Sequence, residues 1–152
     1  MSDTLTYWMI VTSPDNYAKT GELGFTVQGI KSRHRKKAEK MQEGDRVLWY
    51  LTGIQSFAGT ATITGPYFEG TDIIWASKPG EIYPWRFPIR PDTVLAPADA
   101  IKAESLLPEL EFVKKWPAEH WHLAFQGNVH LLPREDFERI EKALQQRADA
   151  AA

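Results

Sequence analysis

Basic and aromatic side chains stand close together in one stretch of the sequence, in a pattern that suits the binding of a polyanion. Residues 31–40, called the basic block below, contain six Lys or Arg and His34, against the single acid Glu39. Phe25 lies shortly before this block, and the whole chain has a formal net charge of −2. A local positive patch in a slightly acidic protein indicates a polyanionic partner, although an isolated charge run is often only the solvated face of a helix.

Aromatic residues form the second informative group, with six Trp, five Tyr and seven Phe among 152 residues. We expect rings from separate segments to converge on one concave face, namely Tyr50, Trp85, Trp121 and Phe125. Stacking between such rings holds a flat base or a methylated amine, and each stacked base contributes about 1–3 kcal/mol. Core packing is the alternative role for each of these rings.

Residues that could carry catalysis form no recognisable motif. The sequence has no Gly-rich phosphate loop, no Gly-x-Ser-x-Gly elbow, no His-Glu-x-x-His pair and no cysteine. His120, His122 and His130 could in principle hold zinc, but their spacing is better explained by the polar side of an edge hairpin. We therefore predict no catalytic residue, no metal site and no cofactor.

Length and composition indicate one globular domain. The 152 residues are enough for a sizeable core, and the 43% hydrophobic and 25% charged fractions are typical of a folded protein. No apolar run approaches the ~20 residues that span a bilayer, and the N-terminus does not resemble a signal peptide, so we expect a cytoplasmic protein without a membrane partner. We predict the domain over residues 6–146, with flexible ends at 1–5 and 147–152.

Hydrophobic patterning predicts strands mixed with helices. Strands are expected in five places, which are residues 7–11, 46–51, 56–65, 121–125 and 129–132. Residues 83–91 are aromatic and rich in proline, so we expect them at a sheet edge or in an irregular segment. Helices are expected at residues 97–107 and from Pro133 onward, where Phe137, Ile140 and Leu144 follow helical spacing. This order favours one α/β domain built on a curved sheet or small barrel.

Seven short segments follow one another in an order and spacing that are characteristic as a set. They are YWMIVTSPDN at 7–16, GFTV at 24–27, KSRHRKKAEKM at 31–41, EGDRVLWYL at 43–51, GTATITGPY at 59–67, YPWRFPIRP at 83–91 and HWHLAFQGNVHLLPREDF at 120–137. Together they resemble the EVE domain, a member of the PUA-like superfamily that is related to YTH domains. The resemblance extends from Tyr7 to about Leu144, which is nearly the whole chain.

This resemblance implies an α/β (α+β) fold, a PUA-like mixed β-barrel-like sheet flanked by short helices in a single domain. It also implies a non-enzymatic binding module that recognises a modified nucleobase in DNA or RNA. The residues implied for the base-binding pocket are Thr12, Ser13, Asn16, Phe25 (often Trp in relatives), Tyr50, Leu51, Trp85 and Trp121. Phosphates would be held by the basic block, through Lys31, Arg33, His34, Arg35, Lys36 and Lys37.

Two other functions remain open at the level of sequence. One is an enzyme of the PUA-like superfamily that processes nucleic acid or nucleotides, with His34, His120 or His122 as its general acid or base. The other is a sensor of a small molecule, such as a free modified nucleoside, that uses the same pocket. The sequence also leaves open the base, its modification, the choice between DNA and RNA, and the oligomeric state.

Overall fold

The computed structural model describes residues 4–76 and 79–151, so the ends predicted to be flexible fall partly on residues outside this description (1–3 and 152). The strands are β1 Tyr7–Thr12, β2 Val27–Ile30, β3 Arg46–Leu51, β4 Ser56–Ile63, β5 Phe68–Glu69, β6 Trp85–Val94, β7 Ile101–Lys102 and β8 Val129–Leu132. The α-helices are α1 Pro14–Glu22, α2 Arg35–Lys40 and α3 Arg134–Ala151. Short 3-10 helices occupy Ser32–His34, Pro97–Asp99, Ala103–Glu109 and Ala118–Phe125.

One mixed sheet organises the described part of the chain. Its strand order is β2-β6-β4-β3-β1-β8, with β5 paired to β6 and β7 paired to β4. The β1–β3 pair is parallel and the other pairs are antiparallel. Bulges at Trp49/Tyr50 and at Thr60/Ala61 bend the ladder, and the sheet curls into a half-barrel. The predicted fold class, a mixed sheet flanked by short helices in one domain, is confirmed.

Two cores lie on the two faces of this sheet, because side chains alternate along each strand. Trp8 and Ile10 of β1 point into the first core, which α1 and α2 cover. Met9 and Val11 of the same strand point into the second core, which α3 and the 3-10 segments cover. Strand β3 contributes to both cores in the same way, with Trp49 in the first and Tyr50 in the second. It is buried on both faces, as the nearly continuous apolar run at residues 46–51 predicts.

The proline-rich segment at residues 83–91 lies inside the sheet, so its predicted placement at an edge or in an irregular segment is wrong. Strand β6 pairs with β2 on one side and with β4 on the other. Pro88 has no backbone N–H to donate, but its carbonyl still joins the sheet, because it accepts a hydrogen bond from the backbone N–H of Thr64 at 3.0 Å. Pro91 pairs with Ala61 at the bulge, where the ladder is already interrupted.

Two further elements differ from their predicted type. Residues 121–125, predicted as a strand, belong to the 3-10 helix Ala118–Phe125, which buries Ala124 and Phe125 against the second core. Residues 97–107, predicted as one helix, form two 3-10 turns on either side of the two-residue strand β7. In residues 97–107, Ile101 and Ala103 are buried in the second core, and β7 pairs with β4.

Helix α3 closes the second core and has the predicted apolar stripe. Phe137, Ile140 and Leu144 are each at most 1% exposed. The buried carboxylate of Asp136 accepts hydrogen bonds from the backbone N–H groups of Glu111 and Phe112, which fastens the preceding loop to the helix. The helix continues through residues 147–151, which the sequence predicts as part of a flexible tail.

No helix in the described ranges is long and apolar enough to cross a membrane.

Candidate nucleic-acid interface

A polar cavity of about 230 Å³ lies at the carboxyl end of β1. We call it the β1-end cavity, and its lining residues are Val11, Thr12, Ser13, Asn16, Lys31, Thr52, Ala76, Tyr83, Gly127 and Asn128. Five segments of the chain line it, which are the β1–α1 junction, the end of β2, the turn after β3, the loop before β6 and the turn before β8. The cavity therefore brings together three of the predicted base-binding residues with the first residue of the basic block.

The β1–α1 junction supplies hydroxyl groups to this cavity. Ser13 is the N-cap of α1, and its Oγ accepts a hydrogen bond from the backbone N–H of Asn16 at 3.1 Å. The backbone carbonyl of Thr12 accepts from the N–H of Thr52 at 2.8 Å, which places both threonines at the cavity. Because capping uses only an oxygen lone pair of Ser13, its hydroxyl proton is still available to a ligand.

Two asparagines hold the walls of the cavity together. The side-chain amide of Asn16 donates to the carbonyl of Ala76 and accepts from its N–H, both at 2.8 Å. Asn128 Oδ1 accepts from the backbone N–H of Lys31 at 2.9 Å, and the Asn128 carbonyl accepts from the N–H of Val11 at 2.8 Å. These side chains shape the site and have little capacity left for a ligand. Sequence reasoning missed Asn128, whose signal is its place beside Gly127 in a polar turn.

Tyr83 is the aromatic ring that lines the β1-end cavity, within the described residues. It is buried, and its backbone has a φ of 53°, a left-handed conformation that non-glycine residues adopt rarely and often at functional sites. The ammonium nitrogen of Lys31 lies 6.0 Å from the centre of its ring. Sequence reasoning missed this residue as well, although Tyr83 begins one of the aromatic segments that carry the family resemblance.

Arg86 and Trp75 support the loop that carries Tyr83 and Ala76. The guanidinium of Arg86 donates to the carbonyls of Tyr83 and Ile82, each at 3.2 Å, and to the carbonyl and carboxylate of Asp72. It also lies 5.3 Å from the ring of Trp75, whose indole N–H donates to Thr20 Oγ1 at 2.9 Å. The described parts of this loop, residues 70–76 and 79–84, are thus fixed by buried polar contacts.

Three of the predicted base-binding residues are packed in the two cores and do not line the cavity. Phe25 contacts Tyr17 and Trp49 of the first core, with ring centroids 5.4 and 5.5 Å apart. Leu51 is fully buried in the same core. Tyr50 stacks in the second core on Phe125, at 4.3 Å and an interplanar angle of 11°. Alternation along β3 separates Tyr50 from Leu51, and helices cover both faces.

Trp121 and Trp85 also lie outside the β1-end cavity. Trp121 packs edge-on to Phe125 at 5.8 Å and borders a separate apolar cavity of about 360 Å³ with Trp116. Trp85 packs at the margin of the first core, on the other face of the sheet. The expected convergence on one concave face is therefore wrong, because Tyr50 and Phe125 are buried in the second core, Trp121 packs against that core, and Trp85 lies on the other face of the sheet.

The basic block is an electropositive cluster beside the cavity. Lys37 Nζ donates to the carbonyl of Val129 at 2.8 Å, and burial and the neighbouring Arg33 lower the pKa of Lys37. Burial is also the main reason that the pKa of His34 falls from 6.5 to about 4, and the charges of Lys37 and Arg33 add to the effect. Positive charges gathered on one local surface favour an anionic partner.

The three histidines considered as zinc ligands do not lie close together in one site. His120 and His122 are exposed with ring centroids 6.3 Å apart, while His130 packs edge-on to Phe112 at 6.0 Å. Within residues 4–76 and 79–151, no group of three or more His, Cys, Asp or Glu is placed to hold a metal ion.

Comparison with known proteins gives related sequences and related folds. Residues 6–143 match the family described as EVE domain. A UPF0310 protein from Pyrococcus abyssi is 28% identical over 150 residues, covering 92% of this chain and all of that protein.

Among solved structures, the YTH domain of Mmi1 matches with a TM-score of 0.69 at 7% identity, over 99% of this chain and 81% of that one. The YTH domain of the Zygosaccharomyces rouxii MRB1 protein, in complex with N6-methyladenosine RNA, matches with a TM-score of 0.67 at 16% identity, over 95% of this chain and 89% of that one. At these identities the structural likeness concerns the fold alone. The family match, however, spans most of the sequence, and this chain belongs to the EVE domain family.

Proposed function

We propose that this EVE domain is a non-enzymatic module that binds nucleic acid and recognises one modified base in the β1-end cavity. The observation that carries the proposal is the junction of that cavity with the basic block. Lys31 lines the cavity and is also the first cation of the block. A base held in the cavity therefore has cations beside it at the place where its own phosphates emerge.

The size and polarity of the cavity suit a single base. Its volume of about 230 Å³ is smaller than the range usual for drug-sized ligands, so a base would enter it unpaired and turned out of its stack. Tyr83 offers one ring for stacking, and Thr12, Ser13 and Thr52 offer hydroxyl groups that reach the base edge. Because Tyr83 is the one aromatic residue among the described residues that line the cavity, recognition of the base would depend more on hydrogen bonds than it does in a site built as an aromatic cage.

The basic block would position the strand without reading its sequence. Arg33 and Lys36 are exposed and suit phosphate contacts, together with Lys31 at the cavity. Lys37 donates a hydrogen bond to the carbonyl of Val129, so it would both support the fold and contribute positive charge for phosphate binding. His34 enters this set as a neutral side chain at pH 7, because its pKa is about 4.

Support for a modified base comes from a structural relative. The MRB1 YTH domain, which shares the fold, was solved in complex with N6-methyladenosine RNA. We therefore favour RNA and a methylated base as the first ligands to test. An enzyme is the weaker reading, because the lining residues described for the cavity include no His, Asp or Glu that would act as a general acid or base.

The test is a titration of single-stranded RNA and DNA oligonucleotides that carry N6-methyladenine, 5-methylcytosine, 5-hydroxymethylcytosine or only plain bases. We expect one modified strand to bind at least about tenfold more tightly than its plain counterpart, an advantage of about 1.4 kcal/mol. Equal affinity for modified and plain strands throughout the panel would contradict base recognition. Stabilisation by free modified nucleosides, without any oligonucleotide binding, would instead support a small-molecule sensor.

Thr12→Val is the matched variant for this test, since it removes a hydroxyl from the cavity and keeps the volume of the side chain. We expect it to reduce the preference for the modified strand by about tenfold, because one hydrogen bond to the base is no longer made. Thr64→Val changes an exposed threonine outside the cavity and should leave the preference unchanged. A similar reduction in both variants would rule out a specific contribution of Thr12.

A further inference from the structure

Next to the β1-end cavity, the structure has a second aromatic surface that the proposed base pocket does not use. Its centre is Trp85, which is half-buried and whose indole N–H donates to the carbonyl of Ser32 at 2.7 Å. The guanidinium carbon of Arg35 lies 5.0 Å from the centre of the Trp85 ring, and Tyr67 packs edge-on to it at 6.2 Å. We call these three residues, Trp85, Arg35 and Tyr67, the Trp85 platform.

The platform is fixed in orientation yet open to solvent. The indole hydrogen bond and the edge contact of Tyr67 hold the ring of Trp85, so a ligand meets a surface that is already ordered. The Arg35 side chain is 61% exposed and is also held by Glu39, whose carboxylate lies 3.4 Å from Arg35 Nε. A planar guanidinium that lies over a tryptophan ring and remains accessible offers a surface to which another flat group can be added.

The platform and the cavity are neighbours along two segments of the chain. In the basic block, Lys31 lines the cavity, Ser32 holds the indole of Trp85, and Arg35 covers that indole. Tyr83 lies two residues before Trp85, the first residue of β6, so their Cα atoms are at most about 7 Å apart. A strand whose base occupies the cavity therefore has its adjacent nucleotide within reach of the platform.

Charges around the platform favour a nucleic acid over a peptide as its occupant. Ile30 and Glu69 are both register partners of Trp85, but they belong to strands on opposite edges of β6. The acid Glu69 thus borders the platform on the side of β5, and the basic block borders it on the side of β2. Glu39 and Glu81 contact Arg35 and Ser32 on the basic side, but the six Lys and Arg of the basic block outnumber them, which favours a polyanionic strand over the basic block and away from β5.

We propose that the Trp85 platform stacks the base of a nucleotide adjacent to the one in the β1-end cavity, so that the ligand is a single strand of at least two nucleotides. This inference rests on the proposed function. Stacking on tryptophan or on a guanidinium plane accepts any base, because every base has a flat face. The cavity then supplies specificity for one base, while the platform supplies affinity that depends little on sequence.

The test uses single-stranded pentanucleotides whose central base is the one that binds best among the modified and plain oligonucleotides. Three versions are compared: a complete strand, a strand with an abasic 5′ neighbour and a strand with an abasic 3′ neighbour. For the wild-type domain, we expect removal of one of the two neighbouring bases to lower the affinity by about tenfold. Trp85→Ala should weaken binding of the complete strand by a similar factor and leave binding of that abasic strand unchanged.

Two substitutions in the basic block separate stacking from charge. Arg35→Lys keeps the positive charge but removes the planar group, so it should reduce the advantage of the complete strand over the abasic one. Lys36→Ala removes a charge and no flat surface, so it should weaken all three strands alike. If Trp85→Ala does not fold, Trp85→Phe and Arg35→Lys carry the test, because both keep the packing at the margin of the first core.

The possible outcomes distinguish this inference from the function on which it rests. Equal binding of complete and abasic strands by the wild-type domain would overturn the stacking inference and leave base recognition intact. A Trp85→Ala variant that weakens all three strands equally would also overturn it, since the ring would then only support the fold. Failure of every modified and plain strand to bind would overturn the proposed function together with the inference.

Discussion

At the scale of single residues, the two asparagines of the β1-end cavity have a structural role, because their side chains hydrogen-bond backbone groups of the cavity walls. Asn16 is hydrogen-bonded to both backbone groups of Ala76, and Asn128 joins the backbone of Lys31 to that of Val11. A polar residue in a pocket is thus not automatically a ligand-binding residue. Here the asparagines determine where the walls lie, and the hydroxyl groups remain for recognition.

His34 gives the first prediction, which concerns the pH dependence of stability. Its Nε2 is buried without a hydrogen-bond partner among the described residues, and burial lowers its pKa from 6.5 to about 4. Burial is the largest cause of this lowering, and the charges of Lys37, Arg33, His130 and Lys31 contribute the rest of it. The unfolded chain therefore binds a proton at a pH where folded His34 does not.

We expect the free energy of unfolding to be fully retained above about pH 6.5 and to decrease as the pH falls from 6.5 toward 4. His34→Gln should flatten this decrease, which can be measured by urea unfolding at a series of pH values. The flattening should be partial, because burial also lowers the pKa of His130. An unchanged slope in His34→Gln would show that His34 is not the titrating group.

At the scale of elements, the loop between β5 and β6 gives the second prediction. Arg86 is 3% exposed and donates to three backbone carbonyls of this loop, while its ionic partner Asp72 is 72% exposed. We expect Arg86→Met to lower the free energy of unfolding by about 3–5 kcal/mol, since buried acceptors lose their donor. It should also abolish ligand binding, because Tyr83 and Ala76 of this loop line the cavity.

Asp72→Asn is the control for this loop. It removes the charge of the exposed partner but leaves the carbonyl of Asp72 as an acceptor for Arg86. We expect little change in the urea midpoint, because an exposed ionic partner contributes little to stability. Comparable destabilisation by Asp72→Asn and Arg86→Met would mean that the ion pair, and not the set of carbonyl contacts, holds the loop.

Elements with regular local patterns could be predicted from the sequence, whereas those held by distant contacts could not. Strands β1, β3 and β4 and helix α3 have apolar periodicities that reflect burial directly. The central position of β6 involves a bulge in β6 itself, at Asp92 next to Pro91, which no local pattern reveals. Residues 121–125 alternate as a strand would, but their burial against the second core stabilises a 3-10 helix.

The same distinction applies to the candidate site. The family resemblance implies Thr12 and Ser13 for the pocket, and both line the β1-end cavity, where β1 ends and the capped helix α1 begins. Asn128 could not be predicted, because its bond to the backbone of Lys31 joins residues 97 positions apart. The aromatic residues Tyr50 and Phe125 lie in the second core and not in a pocket, because the presence of an aromatic residue in the sequence does not show whether its ring lines a pocket or packs in a core. Tyr50 is in the core only because β3 is covered on both faces.

At the scale of the whole molecule, charge is distributed unevenly. The ten residues of the basic block hold six of the 18 Lys and Arg but one of the 20 Asp and Glu. The rest of the chain is therefore distinctly acidic. In the proposed function, a nucleic acid would be attracted to the side of the basic block and repelled by much of the remaining surface, so electrostatics would favour the orientation in which the β1-end cavity faces the strand.

Two charge reversals test this orientation while changing the net charge equally. Lys36→Glu reverses an exposed charge in the basic block, and Lys142→Glu reverses an exposed charge on α3, which packs on the opposite face of the sheet from α2. We expect Lys36→Glu to weaken oligonucleotide binding and to reduce the slope of log affinity against log salt by about 0.7 for each phosphate that is no longer neutralised. Lys142→Glu should change neither quantity. Equal weakening by both variants would mean that net charge governs binding, and the basic block would then have no special role.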